Sequence, residues 1–197
     1  MMTATLAIGP GAQAHRPRSL TVATALISAA VAALFMGVLT AYFVSRSAFS
    51  GKTAWIPAEL HIRQVVLTMQ TITLGMSCVT ILWAGWAIRR DDRRSTYIAL
   101  GTTFLLGLAH INGLAFVIKQ FGVGITSSVP AAYLFIFAGM HIVMTVGALV
   151  YLGAVGVRTL GGNYGGRDAE GIDAATIFWF ATVLMWVVIW ALVLVGK

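Results

Sequence analysis

The sequence predicts an all-α polytopic membrane protein with five transmembrane helices. Of 197 residues, 59% are hydrophobic and only 10% charged, and mean hydropathy is +0.89, far from the roughly 25% charge of soluble domains. Crossing the hydrocarbon core takes about 20 apolar residues in a helix. The chain offers five such runs, at 20–44, 65–88, 97–118, 131–157 and 174–195. The connections between them are short, so the expected organisation is one five-helix transmembrane domain over 20–197 behind an N-terminal tail, 1–19.

Charge sets the expected orientation. One set of connections carries Arg16, Arg18, Arg89, Arg90, Arg93, Arg94, Arg158 and Arg167; the other carries Arg46, Lys52, Arg63, Lys119 and Lys197. The positive-inside rule places the first set in the cytoplasm, giving a cytoplasmic N-terminus and an external C-terminus. The net charge of +7 is spread over helix ends instead of forming a patch, which argues against nucleic acid as a partner. "HRPR" before the first run resembles a signal n-region, but the run is too long for a signal and lacks an A-x-A site, so an uncleaved anchor is expected. Cys78 is the single cysteine, which excludes an intrachain disulfide and a thiolate metal cluster.

In the first run, Ala25, Ala29, Ala33, Gly37 and Ala41 recur every fourth residue. They line one helix face and admit a second backbone at close range. That stripe is expected to pack inside the five-helix bundle, with docking on another subunit as the alternative. The following loop, "SRSAFSGKTAWIPAELHIRQ", holds Trp55 and Pro57 and is expected to rest at the membrane surface. The second run ends at the basic turn "RRDDRR". Between the fourth and fifth runs, "RTLGGNYGGRDAEGID" is glycine-rich but has neither a Walker lysine nor a preceding strand, and reads as a flexible connector. Trp179, Trp186 and Trp190 in the last run are expected to pack or to anchor at the interface.

The spans offer little catalytic chemistry. Glu59, Asp91, Asp92, Asp168, Glu170 and Asp173 all lie in loops or at helix ends, whereas pumps and proton-coupled transporters rely on embedded ionisable groups. A small transporter is further disfavoured by the lack of a repeat or broken helix. Neither a Ser/His/Asp arrangement nor H-E-x-x-H is present. Two histidines do lie in spans. His110 is nine residues before Lys119 and His141 ten after Ala131, which at 1.5 Å rise per residue puts both about 13–15 Å below the outer surface. Matching depth on neighbouring antiparallel helices raises the alternative of a b-type haem held by His110 and His141; the competing expectation is a buried hydrogen-bonding role. Met144, three residues after His141, makes a soft pair on paper, but with eight methionines in the chain packing is the expectation.

Several stretches, taken in order, resemble subunit III of the haem-copper respiratory oxidases in its five-helix bacterial form. "FMGVLTAYFVSR" is similar to the family's "FFGALFAAYLVLR", with Tyr42 and Arg46 on matching positions. "ILWAGWAIRRDDRR" resembles "xxWAHHALRRGDRR", and "LGTTFLLGLAHINGLAF" resembles "LALTLLLGLAFLGFQAYEY". "AGMHIVMTVG" corresponds to "TGFHGLHVxxG", which sets Gly139 and His141 on the family's glycine and first histidine. "FWFATVLMW" resembles "YWHFVDVVW", keeping Phe178, Trp179 and Trp186.

The departures from the family pattern share a direction. Val31 stands for an embedded glutamate, Ile118 or Lys119 for another, Met144 for the second histidine, Phe180 for a histidine and Val183 for an aspartate. Most of the family's polar interior is therefore expected to be missing. The resemblance implies a non-catalytic subunit of the bacterial plasma membrane that carries no haem or copper itself and binds subunit I and other respiratory-complex subunits, which hold those centres. It also implies bound phospholipid, with Tyr42, Arg46, His141, Trp179 and Trp186 as expected lipid or subunit contacts. An accessory subunit of a nitric oxide reductase or quinol oxidase is the alternative within the superfamily.

Overall fold

The computed structural model describes residues 18–49, 55–57 and 59–195. Residues 1–17 of the expected tail, with Arg16, and also Lys52 and Lys197, lie outside that set. Five helices follow in order: α1 (Ser19–Ser47), α2 (Gln64–Ile88), α3 (Arg93–Lys119), α4 (Val129–Leu160) and α5 (Glu170–Val195). Each is long and apolar enough to cross a membrane. Helix is the natural state for such segments because, in hydrocarbon, every backbone N–H and C=O must find its partner within the segment.

The helices begin earlier than the apolar runs because polar end turns are helical too. α3 starts at Arg93, where the Asp92 side chain accepts from the Ser95 N–H at 3.1 Å. α4 starts at Val129, where Ser128 Oγ accepts from the Ala131 N–H at 3.3 Å and Pro130 fills the first turn. α1 has no side-chain cap of its own. Its start is served from across the bundle, since Glu170 Oε1 accepts from the N–H groups of Leu20 (2.8 Å) and Thr21 (3.1 Å).

α5 packs against α1, α2 and α4, while α3 lies between α2 and α4. α1 also reaches α4 through side chains. Thr24 and Tyr151 share a hydrogen bond at 3.2 Å, Ser45 and Tyr133 another at 2.8 Å, and Phe35 meets Phe137 with ring centroids 5.4 Å apart.

The small-residue stripe of α1 corrects the expectation of packing within the bundle. Ala25, Ala29, Ala33, Gly37 and Ala41 are all exposed; the face turned inward carries Thr24, Ser28, Phe35, Leu39 and Tyr42. The inward face is set by what it bonds and packs to on α4, Thr24 to Tyr151 and Phe35 to Phe137, while the outward side mixes the small stripe with Leu26, Leu34 and Phe43.

The glycine-rich α4–α5 loop is also more ordered than a flexible connector. Gly165 and Asp168 form an antiparallel bridge. Asp91, in the left-handed region at φ 57°, accepts from the Gly166 N–H at 2.6 Å. A Cβ on Gly166 would lie 2.7 Å from Asp91 Oδ2, and one on Gly171 would collide with the Tyr164 ring. These glycines let the loop close down on the α2–α3 turn. Arg89 pairs with Asp173 at the same end.

Candidate functional site

The bundle interior holds a run of neutral polar groups. Three tryptophans on α5 donate their indole N–H groups to three hydroxyls on α2: Trp179 to Ser77 Oγ (2.9 Å), Trp186 to Thr71 Oγ1 (2.9 Å) and Trp190 to Thr68 Oγ1 (3.4 Å). Rising positions on α5 meet falling positions on α2, as antiparallel neighbours require. Ser77 passes the chain on to the Leu74 carbonyl (2.6 Å), and Thr80 shares a hydrogen bond with Thr103 of α3 (2.7 Å).

At the centre of this run, His110 and His141 meet, as their matched depth allows. Their Nε2 atoms are 3.0 Å apart, with rings nearly perpendicular at 89°. Both side chains are fully enclosed, His110 at 0% and His141 at 1% exposure. His110 Nδ1 lies 3.0 Å from Gln70 Oε1 on α2. Thr145 Oγ1, one turn beyond His141, donates to the His141 carbonyl at 2.8 Å and sits 3.3 Å from its Nε2. The Trp186 ring closes the cluster, 4.7 Å from the His110 centroid and 5.1 Å from that of His141. Gly113 makes room for Gln70, whose amide occupies the space a Cβ there would need.

The hydrogen-bond pattern fixes the tautomers. An amide oxygen only accepts, so His110 carries its proton on Nδ1 and offers a lone pair at Nε2. His141 then donates from Nε2, with Thr145 as a second acceptor. What remains at His141 Nδ1 is an acceptor lone pair, and this buried atom has no partner. Leaving an acceptor unpaired is less costly than orphaning a buried N–H.

This geometry does not fit a haem and corrects that alternative. Axial ligands on opposite faces of one iron stand two metal–nitrogen bonds apart, roughly 4 Å at about 2.0 Å each, and a macrocycle must pass between them. Here the two Nε2 atoms are in hydrogen-bond contact, and Trp186 lies against both rings. Met144, with 8% exposure, belongs to the packed core. Among the described residues, no group of three or more His, Cys, Asp and Glu comes together in a metal-holding arrangement.

Burial also corrects four of the five expected lipid or subunit contacts. His141, Trp179 and Trp186 are each 1% exposed and Tyr42 2%, so in this bundle they touch neither bulk lipid nor a neighbouring chain. Tyr42 instead packs in an aromatic cluster, with Tyr133 at 5.5 Å, Trp55 at 5.9 Å and Phe137 at 6.0 Å between centroids, and accepts the Trp55 N–H at 3.2 Å. Trp55 is thus tied to the helices. Arg46 is half-buried.

The expectation of a depleted polar interior is revised in kind. The embedded carboxylates are absent from the sequence, but Gln70, His110, Thr145 and the serines and threonines of α2 and α3 supply a neutral replacement. Gln70 and Thr145 were missed in the sequence. Gln70 is the one glutamine within the five apolar runs, which was a usable signal; Thr145 gave none.

Five membrane-length helices joined internally by hydrogen bonds between polar side chains define a polytopic membrane protein. A family model described as cytochrome c oxidase subunit III matches residues 14–195, and the chain belongs to that family. It is 25% identical over 160 residues to the cytochrome c oxidase subunit 3 of Thermostichus vulcanus, covering 81% of this chain and 78% of that one. The Synechocystis subunit 3 is 25% identical over 170 residues, covering 85% and 72%. That of Corynebacterium diphtheriae is 28% identical over 180 residues, covering 88% and 86%.

Proposed function

We propose that this chain is the non-catalytic subunit III of a haem-copper terminal oxidase in the bacterial plasma membrane, with N-terminus in the cytoplasm and C-terminus outside. Its partners, subunit I above all, carry the haem and copper and reduce oxygen to water. This chain holds subunit I and nearby lipid in place. Family membership supports the assignment, and one structural observation carries the docking role: the outward stripe Ala25, Ala29, Ala33, Gly37 and Ala41 on α1. Without a hydrophobic drive between helices inside a bilayer, association depends on close backbone approach, which small residues permit. An interior of buried and half-buried hydrogen bonds between helices suits a rigid support.

The test is affinity purification of a tagged chain from its native membrane. A haem-bearing catalytic subunit should co-elute, identified by mass spectrometry and by its visible spectrum. Recovery of the chain alone, or with unrelated proteins, overturns the assignment. Gly37→Leu, at a position where a Cβ meets no atom within 4 Å, should release the partner while leaving the chain folded.

A further inference from the structure

A cleft of about 830 Å³ opens at the end of the bundle opposite the arginine-rich one, between the end of α1 and the start of α4. Ser45, Ala48, Phe49, Trp55, Glu59 and Pro130 are among the residues that line it. Its walls are tied down. Trp55 donates to the Tyr42 hydroxyl at 3.2 Å and meets the Phe49 ring edge-on, with centroids 5.3 Å apart. Ser45 is held by the 2.8 Å hydrogen bond to Tyr133. The Phe49 ring nevertheless stays 43% exposed, so the cleft presents aromatic surface.

Charge singles out Glu59. It is the one acidic residue in the α1–α2 and α3–α4 connections, and the other five lie at the opposite end. Of those, Asp91 holds Gly166, Asp92 caps α3, Glu170 serves the start of α1 and Asp173 pairs with Arg89. Glu59 differs from them. It is exposed, and among the described residues its carboxylate has neither a hydrogen bond nor an ion pair. The cleft also prolongs the docking face: the four-residue spacing of Ala25, Ala29, Ala33, Gly37 and Ala41 runs on to Ser45 in the cleft wall. A partner helix that follows this row therefore ends over the cleft.

We propose that this cleft receives a lysine or arginine from the end of the partner helix that docks on α1, with its charge at Glu59 and its stem against Phe49 and Trp55. The proposal rests on the docking reading above and adds the partner's chemistry: a transmembrane segment that carries a basic side chain at this level. Charge complementarity chooses the occupant. An unpaired carboxylate attracts a cation, and aromatic rings accept both the charge and the apolar stem of a long basic side chain. A neutral or acidic end in the same place would cover Glu59 and leave it unpaired, at a cost in desolvation that nothing repays.

The test uses the full chain in its native membrane, with photoreactive benzoylphenylalanine in place of Ala48 in the cleft or of Ala33 in the middle of the stripe. Both positions are exposed. Both should capture the same partner chain, and the peptide joined at position 48 should carry a lysine or arginine within one helical turn of the link. Glu59→Gln should lower the yield at position 48 about threefold and leave the yield at position 33 unchanged, whereas Glu59→Asp, which keeps the charge, should preserve both. Capture at position 33 without capture at 48, lipid alone at 48, a joined peptide with no basic residue, or indifference to Glu59→Gln overturns the proposal while the docking reading stands. Absence of protein capture at both positions overturns the docking reading and this proposal with it.

Discussion

His110 and His141, 31 residues apart in sequence, share a hydrogen bond of 3.0 Å between their Nε2 atoms at the centre of the bundle. Such a contact needs one donor and one acceptor, and Gln70 on the far side of His110 decides which is which. Nitrogen-15 NMR of histidine-labelled protein should show His110 protonated at Nδ1 and His141 at Nε2, with a scalar coupling across the N–H···N bond. Gly113→Val, which displaces Gln70, should scramble the assignment. Two identical tautomers in the unaltered chain would refute the argument.

The indole–hydroxyl pairs between α5 and α2 should couple measurably. Trp179→Phe and Ser77→Ala are each expected to destabilise the fold, and a double-mutant cycle should give an interaction of about 0.6–1.5 kcal/mol. Unfolding in bicelles by steric trapping supplies the numbers. A coupling indistinguishable from zero would mean that the indoles act through packing alone.

Glycines within the bundle differ sharply in what they tolerate. A Cβ on Gly107 would stand 2.6 Å from Trp179 Cη2 and 2.7 Å from Leu149 Cδ2, whereas one on Gly75 meets nothing within 4 Å. Gly107→Ala should cost about 1–3 kcal/mol through overpacking. Gly75→Ala should be neutral or stabilise by up to about 1 kcal/mol from helix propensity. Thermal denaturation of the pair in one detergent checks this, and equal shifts would count against the packing account.

Acid should loosen the start of α3 late. Hydrogen bonds from the Ser95 side chain and then its backbone N–H, with smaller help from Arg94, hold the Asp92 carboxyl below the usual aspartate value. A depressed folded value means that the cap's contribution is fully present above the unfolded-chain value and is lost as pH falls through the folded one. Amide exchange at Ser95 and Thr96, corrected for intrinsic rates, should therefore stay protected through the ordinary aspartate range and accelerate only below it. Asp92→Asn should flatten that dependence, and Asp92→Ala should give fast exchange at every pH.

The five spans were legible in the sequence because hydrocarbon imposes so simple a rule on backbone and composition. Their ends were less so: Arg93 and Glu170 are polar, and hydropathy cannot tell a solvated helical turn from a loop. The depth calculation for His110 and His141 worked because rise per residue is fixed; that they face one another depends on helix rotation, which apolar residues on every side leave unmarked. The same ambiguity explains the error over Ala25 to Ala41. Periodicity identified one face of α1, but packing against α5 together with Phe137 and Tyr133 on α4 decides that the opposite face turns inward. Trp179 and Trp186 misled for a related reason, since tryptophan serves equally at a membrane interface and, with a hydroxyl in reach, in a dry core.

Glu170 adds a dimension of time to the fold. The carboxylate that completes the start of α1 is made some 150 residues after the N–H groups it serves. During synthesis, the first helix therefore enters the bilayer with an unfinished end and stays so until the fourth loop has emerged. Completion of the bundle is thus registered at its oldest segment, and a chain stalled before α5 is distinguishable, at that one helix terminus, from a finished one.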